Sequence, residues 1–179
     1  MPNQALLDEA RSLGWVYSID LGHGLVTSGL IPRDILQSQA SIVFSEDIAG
    51  KSVIDIGCWD GYLSTEAARH GAARVLATDD FVWRTGVGLR RNAELAAELV
   101  APGLIEVRQI DVMDISPETV GVHDVVIFTG VLYHMRHPLL ALERAASVCS
   151  DMMILETQVD ALSEQGARSV TPLPRAGIS

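Results

Sequence analysis

Val53-Ile54-Asp55-Ile56-Gly57-Cys58-Trp59-Asp60-Gly61-Tyr62-Leu63-Ser64 is the stretch on which the fold turns. A β-branched run stops at Asp55, glycines follow at positions 57 and 61, and a helix-compatible segment occupies Leu63 to His70. The pattern predicts a strand, a tight turn and a helix start. Glycine has no Cβ, so the backbone bends sharply there and a ligand can lie against it. The helix start adds N–H groups that lack intrahelical partners. A nucleotide-like ligand suits such a turn. Further along, Arg74 to Thr78 predicts a second strand that delivers Asp79 at its carboxyl end. A carboxylate at that point accepts hydrogen bonds from both hydroxyls of a ribose. The glycine spacing departs from the dinucleotide fingerprint G-x-G-x-x-G, which moves the expectation away from NAD.

The rest of the chain extends this frame. Leu6, Leu7, Ala10 and Leu13 lie at helical spacing, with Asn3 as the expected cap and Gly14 as the stop. Trp15 to Thr27 predicts a hairpin-like segment turning at Gly22-His23-Gly24. Pro32 is expected in the first turn of a helix that runs to about Phe44. Beyond the second strand, a helix is expected over about 89–100, a third strand from Leu104 to Ile110 that ends at Asp111-Val112, and a fourth from His123 to Thr129. Pro138 opens a helix to Val148, and Met152 to Glu156 forms a fifth strand. Val125-Val126-Ile127-Phe128 is wholly apolar, as a parallel strand covered on both faces should be. Alternating strands and helices predict an α/β fold, a Rossmann-like doubly wound parallel sheet with right-handed crossovers. Ligands of such sheets sit outside the carboxyl ends of the strands, so Thr129-Gly130-Val131-Leu132-Tyr133-His134 and Glu156 fall on the working rim.

These residues resemble the class I S-adenosylmethionine (SAM) dependent methyltransferases, whose first motif matches Asp55-x-Gly57-x-x-x-Gly61. Together with Ala77-Thr78-Asp79, Asp111-Val112, Gly130 to His134 and His137 to Glu143, they are similar to the tRNA (5-methoxyuridine-34) methyltransferase-like branch, many of whose members look like small-molecule enzymes. The likeness runs from about Trp15 to about Asp160. It implies SAM as cofactor and S-adenosylhomocysteine (SAH) as product. Asp55, Gly57, Cys58, Asp60 and Gly61 would surround the methionine end, Asp79 the ribose, Asp111 and Val112 the adenine, and Thr129 the sulfonium. An Asp after a strand is also an ordinary turn residue, so both readings of Asp111 stand. The same resemblance makes the early segment a cap over the cofactor, with Tyr17, Ile19 and Asp20 as lid residues.

Composition narrows the function. The chain has 179 residues and a formal net charge of −10, with Lys51 its one lysine. Polyanion binding draws on a basic patch. The densest basic group, Arg84, Arg90 and Arg91, is followed by Glu94 and Glu98, which suits a solvated helix face better than a nucleic-acid groove. No apolar run approaches the roughly 20 residues of a membrane span, the N-terminus carries acids where a signal peptide is basic, and Cys58 and Cys149 are expected as free thiols in a reducing cytoplasm. No His or Asp pair stands at metal-ligand spacing on an expected helix.

The expected organisation is an N-terminal helical and hairpin cap over 1–50, a SAM-binding core over 51–160 and a flexible tail over 161–179. The usual C-terminal antiparallel hairpin of the resembling fold is missing from this reading, which leaves five strands. An open fifth strand invites pairing, so a homodimer is expected to cover it. The chemistry implied is methyl transfer to an oxygen or nitrogen of a small molecule, in specialised metabolism. A tRNA-modifying enzyme and a non-catalytic SAM-binding scaffold are the alternatives. Such a transfer is an in-line displacement that needs alignment and exclusion of water. A neutral histidine suits proton removal near pH 7, which makes His134, beside Tyr133, the candidate base. A cap or a bond to a backbone carbonyl is the other reading of His134.

Overall fold

The computed structural model describes residues 4–158. The expected Asn3 cap and the 161–179 tail lie outside them. Helix α1 (Gln4–Ser12) is followed by the short strands β1 (Trp15–Tyr17) and β2 (Gly29–Ile31) and by helix α2 (Arg33–Val43). Then come β3 (Ser52–Ile56), α3 (Tyr62–Arg69), β4 (Arg74–Asp79), α4 (Phe81–Thr85), α5 (Arg90–Val100), β5 (Ile105–Gln109), α6 (Pro117–Val120), β6 (His123–Thr129), α7 (Pro138–Ser147) and β7 (Cys149–Glu156). Single 3-10 turns occupy Val112–Asp114 and Leu132–His134.

Five strands form one sheet in the order β5-β4-β3-β6-β7, and every pairing in it is parallel. This is the Rossmann-like architecture expected from the alternation of elements. Side chains alternate across a strand, and the two faces bury separate apolar clusters. Val53, Val75, Ala77, Val125 and Ile127 pack with α1, α2, α3 and α5 side chains such as Leu7, Leu36, Ala67 and Leu95. Ile54, Ile56, Leu76, Val126 and Phe128 pack with Ala141 and Ala145 of α7 and with Ile115. Trp15, Ile19 and Leu21 belong to the first cluster, so the N-terminal segment shares its core with the sheet.

The hairpin expectation is corrected in one respect. Its tip exists: Leu25 N donates to Gly22 O (2.9 Å), and Asp20 and Val26 form an antiparallel bridge. The strands on either side, β1 and β2, nevertheless pair in parallel, Trp15 with Gly29 and Tyr17 with Ile31. The change of direction falls at Thr27: its N donates to Ile19 O (2.9 Å) as in the hairpin, while its hydroxyl accepts from Ile19 N (2.8 Å) and donates to Tyr17 O (2.7 Å). Among the described residues, β7 pairs only with β6.

Candidate functional site

The rim is formed by the carboxyl ends of the strands: Ile56, Asp79, Gln109, Thr129 and Glu156. Strand order reverses between β3 and β6, the point at which open α/β sheets hold ligands. The turn after β3 lies there. Gly57 N and Cys58 N both donate to Thr78 O (2.8 and 3.0 Å), and Gly61 N donates to Cys58 O (2.7 Å). This winding needs left-handed backbone at Gly57 and Gly61 (φ 85° each) and forces the same region on Trp59 (φ 52°). A Cβ at Gly57 would meet Val131 Cγ2 at 2.2 Å. The group lying closest against this glycine is therefore protein, while its backbone still lines a cavity.

The acids around the turn have distinct tasks. Asp55 is 2% exposed, and Ser64 Oγ donates to its Oδ2 at 2.6 Å. Burial pushes its carboxyl up to about 7. Asp79 Oδ2 accepts from Trp59 N (3.0 Å), tying the second strand to the turn; burial raises its pKa against the pull of backbone N–H groups. Trp83 Nε1 donates to Trp59 O (3.0 Å) from the other side. Asp60 is 0% exposed. Its Oδ2 accepts from Val16 N (2.6 Å) and Tyr17 N (3.2 Å), and its Oδ1 from Asn92 Nδ2 (3.2 Å), which also donates to Gly14 O (2.7 Å). This carboxylate is engaged with protein and fastens β1 to the glycine turn.

Two hollows open on the rim, the smaller at the turn and the larger past the ends of β4 and β5. The smaller, about 60 Å³, is lined by Tyr17, Gln39, Asp55, Gly57, Cys58, Tyr62, Leu63, Thr129 and Gly130. Burial raises the Tyr17 hydroxyl and the Cys58 thiol well above their usual ranges, with Asp55 adding to both, and pushes Tyr62 up to about 12. The Tyr62 hydroxyl is buried and has no partner among the described residues. The larger hollow, an open groove of about 500 Å³, is lined by Asp80, Arg84, Gln109, Ile110, Asp111, Asp114 and Thr119. Asp80 is anchored there by Gln109 Nε2 and Arg84 Nε, each at 2.9 Å, which hold its carboxyl below the usual range. Asp111 Oδ1 accepts from Met113 N (2.8 Å), so it caps the following turn and lines the groove as well. Val112 opens that turn but is not among the lining residues.

On the far side of the switch point, Tyr133 (43% exposed) and the exposed His134 stand on the rim with ring centroids 4.1 Å apart. Neither side chain has a hydrogen bond among the described residues. His137 is the residue before α7, with Pro138 in its first turn. The structure thus brings Tyr17, Asp55, Gly57, Cys58 and Thr129 to one cavity and Asp111 to the groove. Asp60 and Gly61 lie behind them in the turn.

Sequence reasoning missed Asn92, Gln39 and Tyr62. Asn92 sits on a helix with nothing local to distinguish it, since its partners Gly14 and Asp60 lie 78 and 32 residues away. Tyr62 carried a signal, an aromatic directly after the second glycine of the turn. Among the described residues no group of three His, Cys, Asp or Glu converges to hold a metal ion, and no helix is long and apolar enough to cross a membrane.

The sheet order and the turn at its switch point define an α/β domain of the Rossmann-like class. Residues 33–174 match a family described as "Methyltransferase domain", and the chain belongs to that family. Over 91 residues it is 36% identical to the ubiquinone biosynthesis O-methyltransferase of Acinetobacter baylyi, a match that covers 51% of this chain and 36% of that one. The corresponding Acinetobacter baumannii protein matches to the same extent. The chain thus spans little more than a third of the length of these curated relatives. Among solved structures, the N-terminal domain of EvdMO1 in the presence of SAH and D-fucose is similar with a TM-score of 0.66 and 25% identity, over 86% of this chain and 64% of that one. Magnesium protoporphyrin IX methyltransferase from Synechocystis with bound SAH gives a TM-score of 0.58 at 25% identity, over 72% of this chain and 57% of that one.

Proposed function

We propose that this chain binds SAM and transfers its methyl group to an oxygen or nitrogen of a small molecule. The observation that carries this reading is the positive-φ turn held against Asp79 at the switch point, with an acid-lined cavity on one side and an open groove on the other, in a chain of the methyltransferase-domain family. Two solved neighbours contain SAH, and the curated relatives are named O-methyltransferases. The residues fit the group. Asp55 and the unpartnered Tyr62 hydroxyl give the small cavity polar atoms for an amino-acid end. Asp79 offers its carboxylate to a ribose, and the groove past Asp80 and Asp111 has room for a base.

When bound, SAM supplies an activated methyl group on a sulfonium. The chain's own residues hold and orient. Asp60 keeps Tyr17 over the cavity by gripping two successive backbone N–H groups. His134, beside Tyr133, takes the proton of the acceptor in this proposal. A small acceptor is favoured over tRNA by the charge: Arg84, Arg90 and Arg91 each pair with carboxylates (Asp80, Glu94, and Glu9 with Glu98), so no free basic patch forms from them. The edge of β7, which pairs only with β6 among the described residues, favours a second copy of the chain as partner, and light scattering at micromolar concentration tests it.

Calorimetric titration with SAM and SAH tests the cofactor. Micromolar affinity is expected, and Asp79→Ala should weaken it by about 1–3 kcal/mol, because charge-assisted hydrogen bonds to the ribose are lost. No binding to well-folded protein would refute the reading. Binding without methylated product across a panel of phenols, alcohols and amines would support a non-catalytic role instead.

A further inference from the structure

Glu156 stands on the rim with no task assigned to it so far; it ends β7 directly opposite Thr129 and accepts from Gly130 N at its carbonyl (3.1 Å). Its side chain leans back over the same glycine. A Cβ placed on Gly130 would lie 4.0 Å from Glu156 Oε2 and 3.8 Å from the Tyr133 hydroxyl, so both oxygens stand close to Gly130. Gly130 and Thr129 line the small cavity next to the turn. Glu156 has no ion pair or hydrogen bond to its carboxylate among the described residues, whereas the other acids of the rim, Asp79, Asp80 and Asp111, are each held by a donor. Unlike them, it holds no turn together.

We infer that Glu156 is the acceptor-facing carboxylate of this site, one of two oxygens, with that of Tyr133, that stand beside Gly130 to hold the nucleophile. The inference rests on the proposed SAM-binding function and goes beyond it in naming the group that faces the transferred methyl and the class of acceptor. A carboxylate at this point attracts a cationic or proton-bearing nucleophile and repels an anionic one. The acceptor class is therefore a neutral hydroxyl or amine, and carboxylates and phosphates are excluded. In the transfer, the acceptor's oxygen or nitrogen forms a bond to the methyl carbon and the carbon–sulfur bond breaks with its electron pair left on sulfur. The acceptor proton passes to His134, and the Glu156 carboxylate holds the acceptor's O–H or N–H.

The test needs no acceptor. Sinefungin carries an amine-bearing carbon where SAM has its methyl sulfonium, while SAH carries nothing there, so the ratio of their affinities reads the charge facing the methyl position. Both are titrated calorimetrically at low salt, where exposed charges are least screened, against the wild-type chain, Glu156→Gln and, as a control, Glu143→Gln on the exposed face of α7. The expected result is a preference of the wild type for sinefungin that falls by about tenfold in Glu156→Gln and stays unchanged in Glu143→Gln, with SAH affinity equal in all three. An unmoved ratio in Glu156→Gln, with SAH still binding, overturns the assignment of Glu156 and leaves the cofactor reading intact. Failure of SAH to bind the wild type overturns both.

Discussion

The two sides of the switch point are built differently. On the β3 side, Asp55 and Asp60 are almost wholly buried and every carboxylate of the turn accepts from a named donor: Ser64, Val16, Tyr17, Asn92 or Trp59. On the β6 side, Tyr133, His134 and Glu156 are exposed and have no hydrogen bonds to their polar side-chain atoms among the described residues. One side is set before any ligand arrives, and the other keeps its polar atoms for one. Preorganised groups hold a cofactor without reordering on each binding event. A rim of unengaged side chains suits an acceptor that comes and goes.

That contrast can be broken at Gly57. Gly57→Ala combines a positive φ that an L-residue tolerates poorly with a Cβ driven into Val131 Cγ2, and should lose about 4 kcal/mol of stability in urea unfolding. Adding Val131→Ala should recover the overlap but not the backbone cost. Full recovery would mean that the turn can relax. Asp60→Ala comes next, at about 3 kcal/mol, because the N–H groups of Val16 and Tyr17 and the Asn92 amide lose their acceptor. If it unfolds like the wild type, β1 is not fastened to the turn through this carboxylate.

The third way is through pH. Asp55 has a native pKa raised to about 7 against an unfolded value near 3.8, so the native state binds the extra proton between those limits. Its stability contribution is therefore full below about pH 4 and lost as pH rises through about 7. Asp55→Asn should remove that part of the decline, on the order of 2 kcal/mol, in unfolding curves compared at pH 5 and pH 8. Smallest of all are Tyr133→Phe and His134→Ala, which should shift stability by no more than about 0.5 kcal/mol. A larger loss would show that the rim is part of the frame.

The sequence carried the sheet because its information is local. The β-branched run before Asp55, the unbroken apolar run Val125 to Phe128, and glycines at 57 and 61 announce strands and a turn without reference to anything distant. The small helices α4 and α6 were too short to show a period, although Ser116-Pro117-Glu118-Thr119 holds a capping box that marks the start of one. The direction of β2 was not readable, since nothing local in the sequence marks Thr27 as the point where its hydroxyl turns to Ile19 N and Tyr17 O. Asp60 shows the same limit at the site. Its place in a glycine turn suggests contact with a ligand, and only the approach of Val16 and Asn92 from elsewhere in the chain shows that its oxygens are already engaged.

Of the three tryptophans, Trp15 is sealed in the core with its Nε1 bonded to Ala10 O, whereas Trp59 and Trp83 are joined to each other at the glycine turn. The indoles therefore divide into one silent reference and two that sit beside Asp79. The chain carries its own optical probe: a change of emission on adding a ligand would originate at the turn, and Trp83→Phe would assign it to one ring.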